Sequence, residues 1–338
     1  MTNRRLILER QPRFIPLSDY GRAAAEIDGL LESMPGVVAV YRIGSVSAPG
    51  ISDLDRVAVV EKSGRFPTVW GRLSENTRYV AMHSPFLVDV ETFVRHRWFA
   101  VAEPLELVAG TQFVLEAPPS SELLGAIAGI EGLVVSRLKL AKQLCIGRIK
   151  VRPFLCEMHN LRHDLRLMGA SAAEAPRAWA LTAEVLAVRG GWWDAADHER
   201  DGRVIELASS APIAIDEALA RWSSTTAETA TVDALPLSTD WANITLASQA
   251  IVSMAPQGGG LSPLMGRVSR RAAEFVWRHE RHQLALPPAV VSLLSAAAAG
   301  ADELLAERLE VVQRYKSFLD AQDPGWSSIG LAGIFTSG

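Results

Sequence analysis

The sequence predicts an α+β protein: a small mixed sheet with flanking helices, followed by a larger, mostly α-helical domain. Three observations predict this. Short β-branched runs alternate with helical periodicity over the first 117 residues. The segment APPSSE (117–122) then interrupts the pattern with two prolines and two serines. Beyond it helical periodicity dominates. The expected domains are 1–117 and 118–338.

The elements follow in order. LSDYGRAAAEIDGLLESM (17–34) sets Ala23, Ile27, Leu30, Leu31 and Met34 at helical spacing, with Ser18 as N-cap and Pro35-Gly36 as the stop. VVAVYRIG (37–44) is β-branched and reads as a strand, SVSAPGIS (45–52) as a loop, and DLDRVAVVE (53–61) as a strand covered on both faces. Residues 66–76 are expected to be helical, and YVAMHSPFLVDV (79–90) a strand broken at Pro85. ETFVRHRWF (91–99) reads as a helix, and 105–117 as one or two short strands. In the second domain, helical signals cover 121–145, 153–169, 172–189, 211–222, 263–284, 288–299 and 301–321. The stretches 189–202 and 232–246 read as irregular, and 255–263 as a flexible loop.

Composition narrows the function. The 338 residues carry 34 Lys and Arg against 38 Asp and Glu, a net charge of −4. No basic surplus exists to neutralise phosphates, which disfavours a dedicated nucleic-acid binder. Cys145 and Cys156 are too few for a disulfide framework or a four-thiolate zinc site, so a reduced cytoplasm is the expected compartment. The start, MTNRRLILERQPRF, has no apolar run of signal-peptide length. The most apolar segment (289–305) contains Asp302 and Glu303 and is too short to span a bilayer, so it reads as an Ala-rich helix.

One segment concentrates chemistry: VVAVYRIGSVSAPGISDLDRVAVVE (37–61). Asp53 and Asp55 stand at i and i+2 at the start of an apolar strand, so both carboxylates project to one side with Cα atoms roughly 6.5–7 Å apart. Two ionised carboxylates that close repel, and a hard divalent cation removes the repulsion. Mg²⁺ is held by one or two carboxylates plus substrate phosphates. Gly44-Ser45 is the complementary half: glycine permits close backbone approach, and the amides and the Ser45 hydroxyl can donate to phosphate oxygens.

This arrangement resembles the DNA polymerase β-like nucleotidyltransferase superfamily, whose pattern is hydrophobic-Gly-Gly/Ser, a spacer, then Asp-hydrophobic-Asp/Glu-hydrophobic. Ile43-Gly44-Ser45 and Ser52-Asp53-Leu54-Asp55 match it. The spacer of seven residues (46–52) is short for the family, and Arg56 stands where a hydrophobic residue is usual. By strand alternation Arg56 points away from the acids, toward an edge or a partner. The resemblance spans roughly residues 17–115. It implies a nucleotidyltransferase-type sheet, transfer of a nucleoside monophosphate from an NTP to a hydroxyl acceptor, triphosphate contacts from Gly44 and Ser45, and Mg²⁺ on Asp53 and Asp55. It also implies a third carboxylate from a later strand that activates the acceptor. Asp89 is taken for this role ahead of Glu106. The acidic net charge favours a small molecule or sugar over nucleic acid as acceptor. The alternative is a catalytically inactive nucleotide-binding or interaction protein of the same fold.

Other candidates have blander readings. His83 reads as a core or edge histidine, the alternative being a place near the phosphates. His159 and His163 have zinc-compatible i, i+4 spacing, but HNLRH lacks a metalloprotease's central glutamate. His279 and His282 read as a solvated basic face. The run Arg137, Lys139, Lys142, Arg148, Lys150, Arg152 reads as a solvated face or, alternatively, a phosphate-binding one. Trp192, Trp193 and Trp241 read as buried anchors, the alternative being a platform that stacks a base or a sugar, and Gly258-Gly259-Gly260 as a flexible connection.

Overall fold

A computed structural model describes residues 6–98, 104–117, 122–225, 303–323 and 325–327. The expected helices at 263–284 and 288–299, the stretches at 232–246 and 255–263, and His279, His282 and Trp241 lie outside these residues. Along the chain run β1 (Ile7–Glu9), α1 (Leu17–Glu32), β2 (Val37–Ile43), β3 (Asp55–Val60), α2 (Glu75–Ala81), β4 (Phe86–Asp89) and α3 (Val90–Val94). Then come β5 (Leu105–Gly110), α4 (Glu122–Ile146), β6 (Arg148–Lys150), α5 (Val151–Leu167), α6 (Pro176–Gly190), α7 (Asp197–Thr225) and α8 (Glu303–Asp320). The protein is thus α+β, with a mixed sheet and a helical region. Among the described residues no helix is long and apolar enough to cross a membrane.

The chain divides into two compact units. One holds the described residues of Arg13–Ser121 and Glu310–Gly338, the other those of Met1–Pro12 and Glu122–Leu309. The described residues of Met1–Pro12 thus group with the helices that follow 121, and those of Glu310–Gly338 with the sheet. β1 pairs in parallel with β6, Leu8 opposite Ile149, which ties the N-terminal segment into the helical unit.

The sheet unit has strand order β4-β3-β2-β5, with β2 antiparallel to both β3 and β5 and β3 parallel to β4. α1 buries Ala23, Ile27 and Leu31 of the expected stripe and adds Tyr20, while Leu30 is only half-buried and Met34 is buried just beyond the helix end. Each fully buried Ile or Leu stabilises by about 1.5–3 kcal/mol. The cap differs from expectation: Pro16 is the N-cap and no side chain caps, while Ser18 lies inside the helix. The segment expected to be a strand from residue 79 begins as helix α2, which starts later than the helix expected at 66–76. Ser74 Oγ accepts from Thr77 N at 3.2 Å, and Glu26 of α1 takes hydrogen bonds from both Ser74 N and Ser74 Oγ. That cap, with Thr77, Val80 and Ala81 buried, makes 75–81 helical. β4 then starts after Pro85. α8 contributes Tyr315, whose hydroxyl donates to Leu87 O at 2.8 Å, and Ser327 bridges to Phe86 beyond it.

In the helical unit, α7 begins inside a stretch expected to be irregular and runs through Pro212. Val204, Leu207, Ala208, Ala211, Ile215 and Ala218 form one buried stripe across the proline, so packing overrides the break. α4 and α5 approach closely through glycines: a Cβ on Gly129 would lie 2.4 Å from Asp164 O. Gly129→Ala should therefore destabilise the protein by about 1–3 kcal/mol in urea unfolding. Gly21→Ala, on an exposed position of α1 with nothing within 4 Å, should stabilise it by about 0.5–1 kcal/mol. Equal effects of the two would contradict the packing described.

Candidate metal centre

Register brings the motif together. Ile43, the last residue of β2, pairs with Asp55, the first of β3, so the loop between them closes at one end of the sheet. Gly44 takes φ +67 and donates its N–H to Pro104 O at 3.0 Å. Nothing lies within 4 Å of where its Cβ would be, so glycine is required there by conformation, at about 1–2 kcal/mol for another residue, and not by crowding. Ser45 follows it and is exposed.

The loop that delivers Asp53 is pinned. Ser52 N donates to Ala48 O at 2.7 Å and Ala48 N to Ser52 Oγ at 3.0 Å. Tyr20 OH accepts from Gly50 N at 2.9 Å and donates to Ser52 O at 2.7 Å. Tyr79 OH donates to Gly50 O at 2.9 Å. Ile51 and Leu54 are buried, while Asp53 and Asp55 on either side of Leu54 are half-buried. Asp53 thus stands just before the strand and Asp55 opens it.

The third group is His83. At the end of α2, Met82 takes φ 64, ψ −36, and His83 N donates to Ala81 O at 2.7 Å. That is a γ-turn with positive φ, a rare and strained conformation. It reverses the chain and sets His83 against the acids. Ligand atoms of Asp53, Asp55 and His83 all lie within 4.8 Å of one another, a cluster that can hold a metal ion. His83 Nε2 is 3.0 Å from Asp55 Oδ1. That oxygen is buried without a hydrogen bond of good alignment, so the contact is an ion pair with lone-pair capacity left over. His83 Nδ1 is 2.8 Å from Ser84 O. Both ring nitrogens face oxygens that only accept, which favours the imidazolium. Burial pulls the His83 pKa down, but the contact with Asp55 and the charges of Asp55 and Asp53 outweigh it and raise it to about 9.

The remaining predicted residues lie elsewhere. Asp89 pairs in register with Val60, at the opposite end of β3 from Asp55, which is roughly 16 Å away at about 3.3 Å per residue. It is buried as the N-cap of α3, accepting from Thr92 N at 3.0 Å and Thr92 Oγ1 at 2.7 Å. The structure does not bring it to the acids, because β4 is parallel to β3 and Asp89 ends it. Glu106 is also set apart: it sits opposite Arg42 on the other sheet face and forms an ion pair with it. Arg56 points away from the acids as alternation requires. It meets no edge, however: it is 4% exposed and bidentate with Asp28 of α1, Nε–Oδ1 2.6 Å and Nη2–Oδ2 3.2 Å.

In the helical unit, the basic run is largely consumed internally. Arg137 pairs with Asp216, Lys139 with Glu157 and Arg148 with Glu9, while Arg152 is buried. His159 has neighbours hostile to a cation. Burial, then the charges of Arg189, Arg162 and His163, lower its pKa to about 3. Trp192 is buried as expected, with Arg200 over its ring, but Trp193, expected as a second buried anchor, is exposed.

No family model matches the sequence, and neither a curated protein nor a solved structure matches it significantly.

A raised pKa stabilises the folded state below the unfolded value. The His83 contribution is complete below pH 6.5 and is lost as the pH rises through about 9. Urea unfolding in EDTA at a series of pH values across this window should show that loss in the wild type and not in His83→Gln. Identical pH dependence of the two proteins would contradict the ion pair.

Proposed function

We propose that the sheet unit is a divalent-cation-dependent nucleotidyltransferase, moving a nucleoside monophosphate from an NTP to a hydroxyl acceptor. The observation that carries this reading is the meeting of Asp53, Asp55 and the Gly44-Ser45 bend at one end of a mixed sheet, set by the Ile43–Asp55 pairing. That is the combination of carboxylates and glycine-serine bend on which the resemblance to the polymerase β-like superfamily rests.

The buried lone pairs of Asp55 Oδ1 and the converging His83 nitrogen fit a cation. Two carboxylates suit a hard, oxygen-preferring ion such as Mg²⁺. A bound divalent cation supplies neutralisation of the polyphosphate and of the oxygens in an in-line displacement. Asp53 and Asp55 hold it, each offering carboxylate oxygen. The Gly44 N–H is spent on Pro104 O, so the exposed Ser45 hydroxyl is the donor the bend offers to a phosphate, with open space beside Gly44. The tyrosines holding the loop at Gly50 and Ser52 fix the approach to Asp53 before substrate arrives, so little reorganisation is needed there. A small hydroxyl compound such as a sugar suits the net charge of −4 better than a nucleic acid.

One observation favours a second reading. With Asp89 capping α3 and Glu106 paired to Arg42, neither stands beside the two acids to take the acceptor's proton. A unit of this kind would bind nucleotide without turning it over.

One set of measurements separates them. Each NTP with Mg²⁺ or Mn²⁺ should raise the melting temperature of the full chain by several degrees at about a hundredfold excess over Kd. Asp53→Asn/Asp55→Asn should lose the metal-dependent part of that shift. Release of pyrophosphate with a panel of sugars as acceptors establishes the transferase, and binding without release establishes the second reading. Nucleotide binding that is unchanged in the double variant would overturn both.

A further inference from the structure

The proposed chemistry needs a cation, and the acids alone suit a hard ion such as Mg²⁺. The centre has a nitrogen as well. His83 Nδ1 lies 2.8 Å from the Ser84 carbonyl, an oxygen that only accepts, so Nδ1 carries a proton in every state that keeps this bond. The other nitrogen, Nε2, faces Asp55 Oδ1 at 3.0 Å. A histidine whose one N–H is fixed by a backbone carbonyl and whose other nitrogen meets carboxylates has the outer-shell arrangement of a metal ligand. Two donors at about 2.1 Å from an octahedral ion lie about 3.0 Å apart when adjacent, so the pair need not open to admit one. The γ-turn at Met82 points the same way. A positive φ in a residue with a side chain is retained at a cost, and here it places the imidazole over the acids. A solvated histidine on a relaxed turn would do as well if only the fold were at stake.

We propose that His83 Nε2 is the third protein ligand of the cation on Asp53 and Asp55, and that it makes the centre selective for first-row transition ions over Mg²⁺. Imidazole suits Fe²⁺ and Zn²⁺, and Mn²⁺, though the weakest of the series, takes it more readily than Mg²⁺, which prefers oxygen and keeps its water. Of these ions Mn²⁺ is the one that best also accepts phosphate oxygens, so it suits a site whose remaining ligands come from a nucleotide. The inference rests on the cation-binding reading of the same two acids. It adds a ligand and an ion class to it.

Pulsed electron paramagnetic resonance of the full chain loaded with Mn²⁺ tests it. The wild type should show modulation from a directly bound ¹⁴N, which histidine labelled with ¹⁵N replaces by ¹⁵N coupling without altering the fold. His83→Asn should abolish the imidazole signal. It should also weaken Mn²⁺ by about tenfold or more while changing Mg²⁺ affinity little, since even outer-shell changes cost about 10–100-fold. Mn²⁺ held in a manner sensitive to Asp53→Asn/Asp55→Asn but without nitrogen coupling overturns the role of His83 and leaves the acids as a cation site. Equal loss of Mn²⁺ and Mg²⁺ in His83→Asn overturns the selectivity. Absence of Mn²⁺ and Mg²⁺ binding in the wild type overturns the inference together with the reading beneath it.

Discussion

Two carboxylates crowded at one end of a sheet are the constraint on which the rest of this structure depends. Left alone they repel, and the protein does nothing to separate them. It pins their loop with the hydroxyls of Tyr20 and Tyr79, buries the Leu54 between them and draws a histidine onto Asp55. Each of these holds the charges together. The imidazole answers the repulsion only partly, because Asp55 Oδ1 remains buried without a well-aligned hydrogen bond. A cation that took up the spare lone pairs of that oxygen and the imidazole nitrogen would release the Nε2 proton of His83 as it bound.

The acids and the bend were legible in the sequence because they are local. Gly44-Ser45 and Asp53-Leu54-Asp55 lie on one β-loop-β segment, and hairpin pairing returns such a segment to its starting end whatever surrounds it. His83 and Asp89 were not, because their places depend on the direction of β4. Read as a single broken strand, 79–90 offers Asp89 as a third acid. Once 75–81 is a helix, it forms a crossover from β3 to β4 and makes those strands parallel. Parallel pairing sends the end of β4 away from Asp55 and brings the residues preceding it, His83 among them, alongside. The signal that decides this is the Ser74 cap, whose partner Glu26 lies 48 residues away and whose force is invisible along the chain.

The same physics governs the helical unit. Its run of arginines and lysines has the composition of an anion-binding face, yet most of its described members meet carboxylates on neighbouring elements. Tertiary partners decide what a charged residue does, and they come from distant sequence. α7 makes the point for backbone structure, since an apolar stripe carries it through Pro212 where local preference predicts a break. The termini follow suit. A three-residue strand ties the first segment to β6, and a tyrosine hydroxyl ties α8 to β4.

The proposed metal centre is tested by a crystal of the full chain grown with Mn²⁺, with anomalous scattering measured to locate the ion. One peak bounded by Asp53, Asp55 and Nε2 of His83 is expected, with Nδ1 still on the Ser84 carbonyl. A map in which Mn²⁺ binds elsewhere, while the imidazole stays in contact with Asp55 and no peak lies between them, would contradict it.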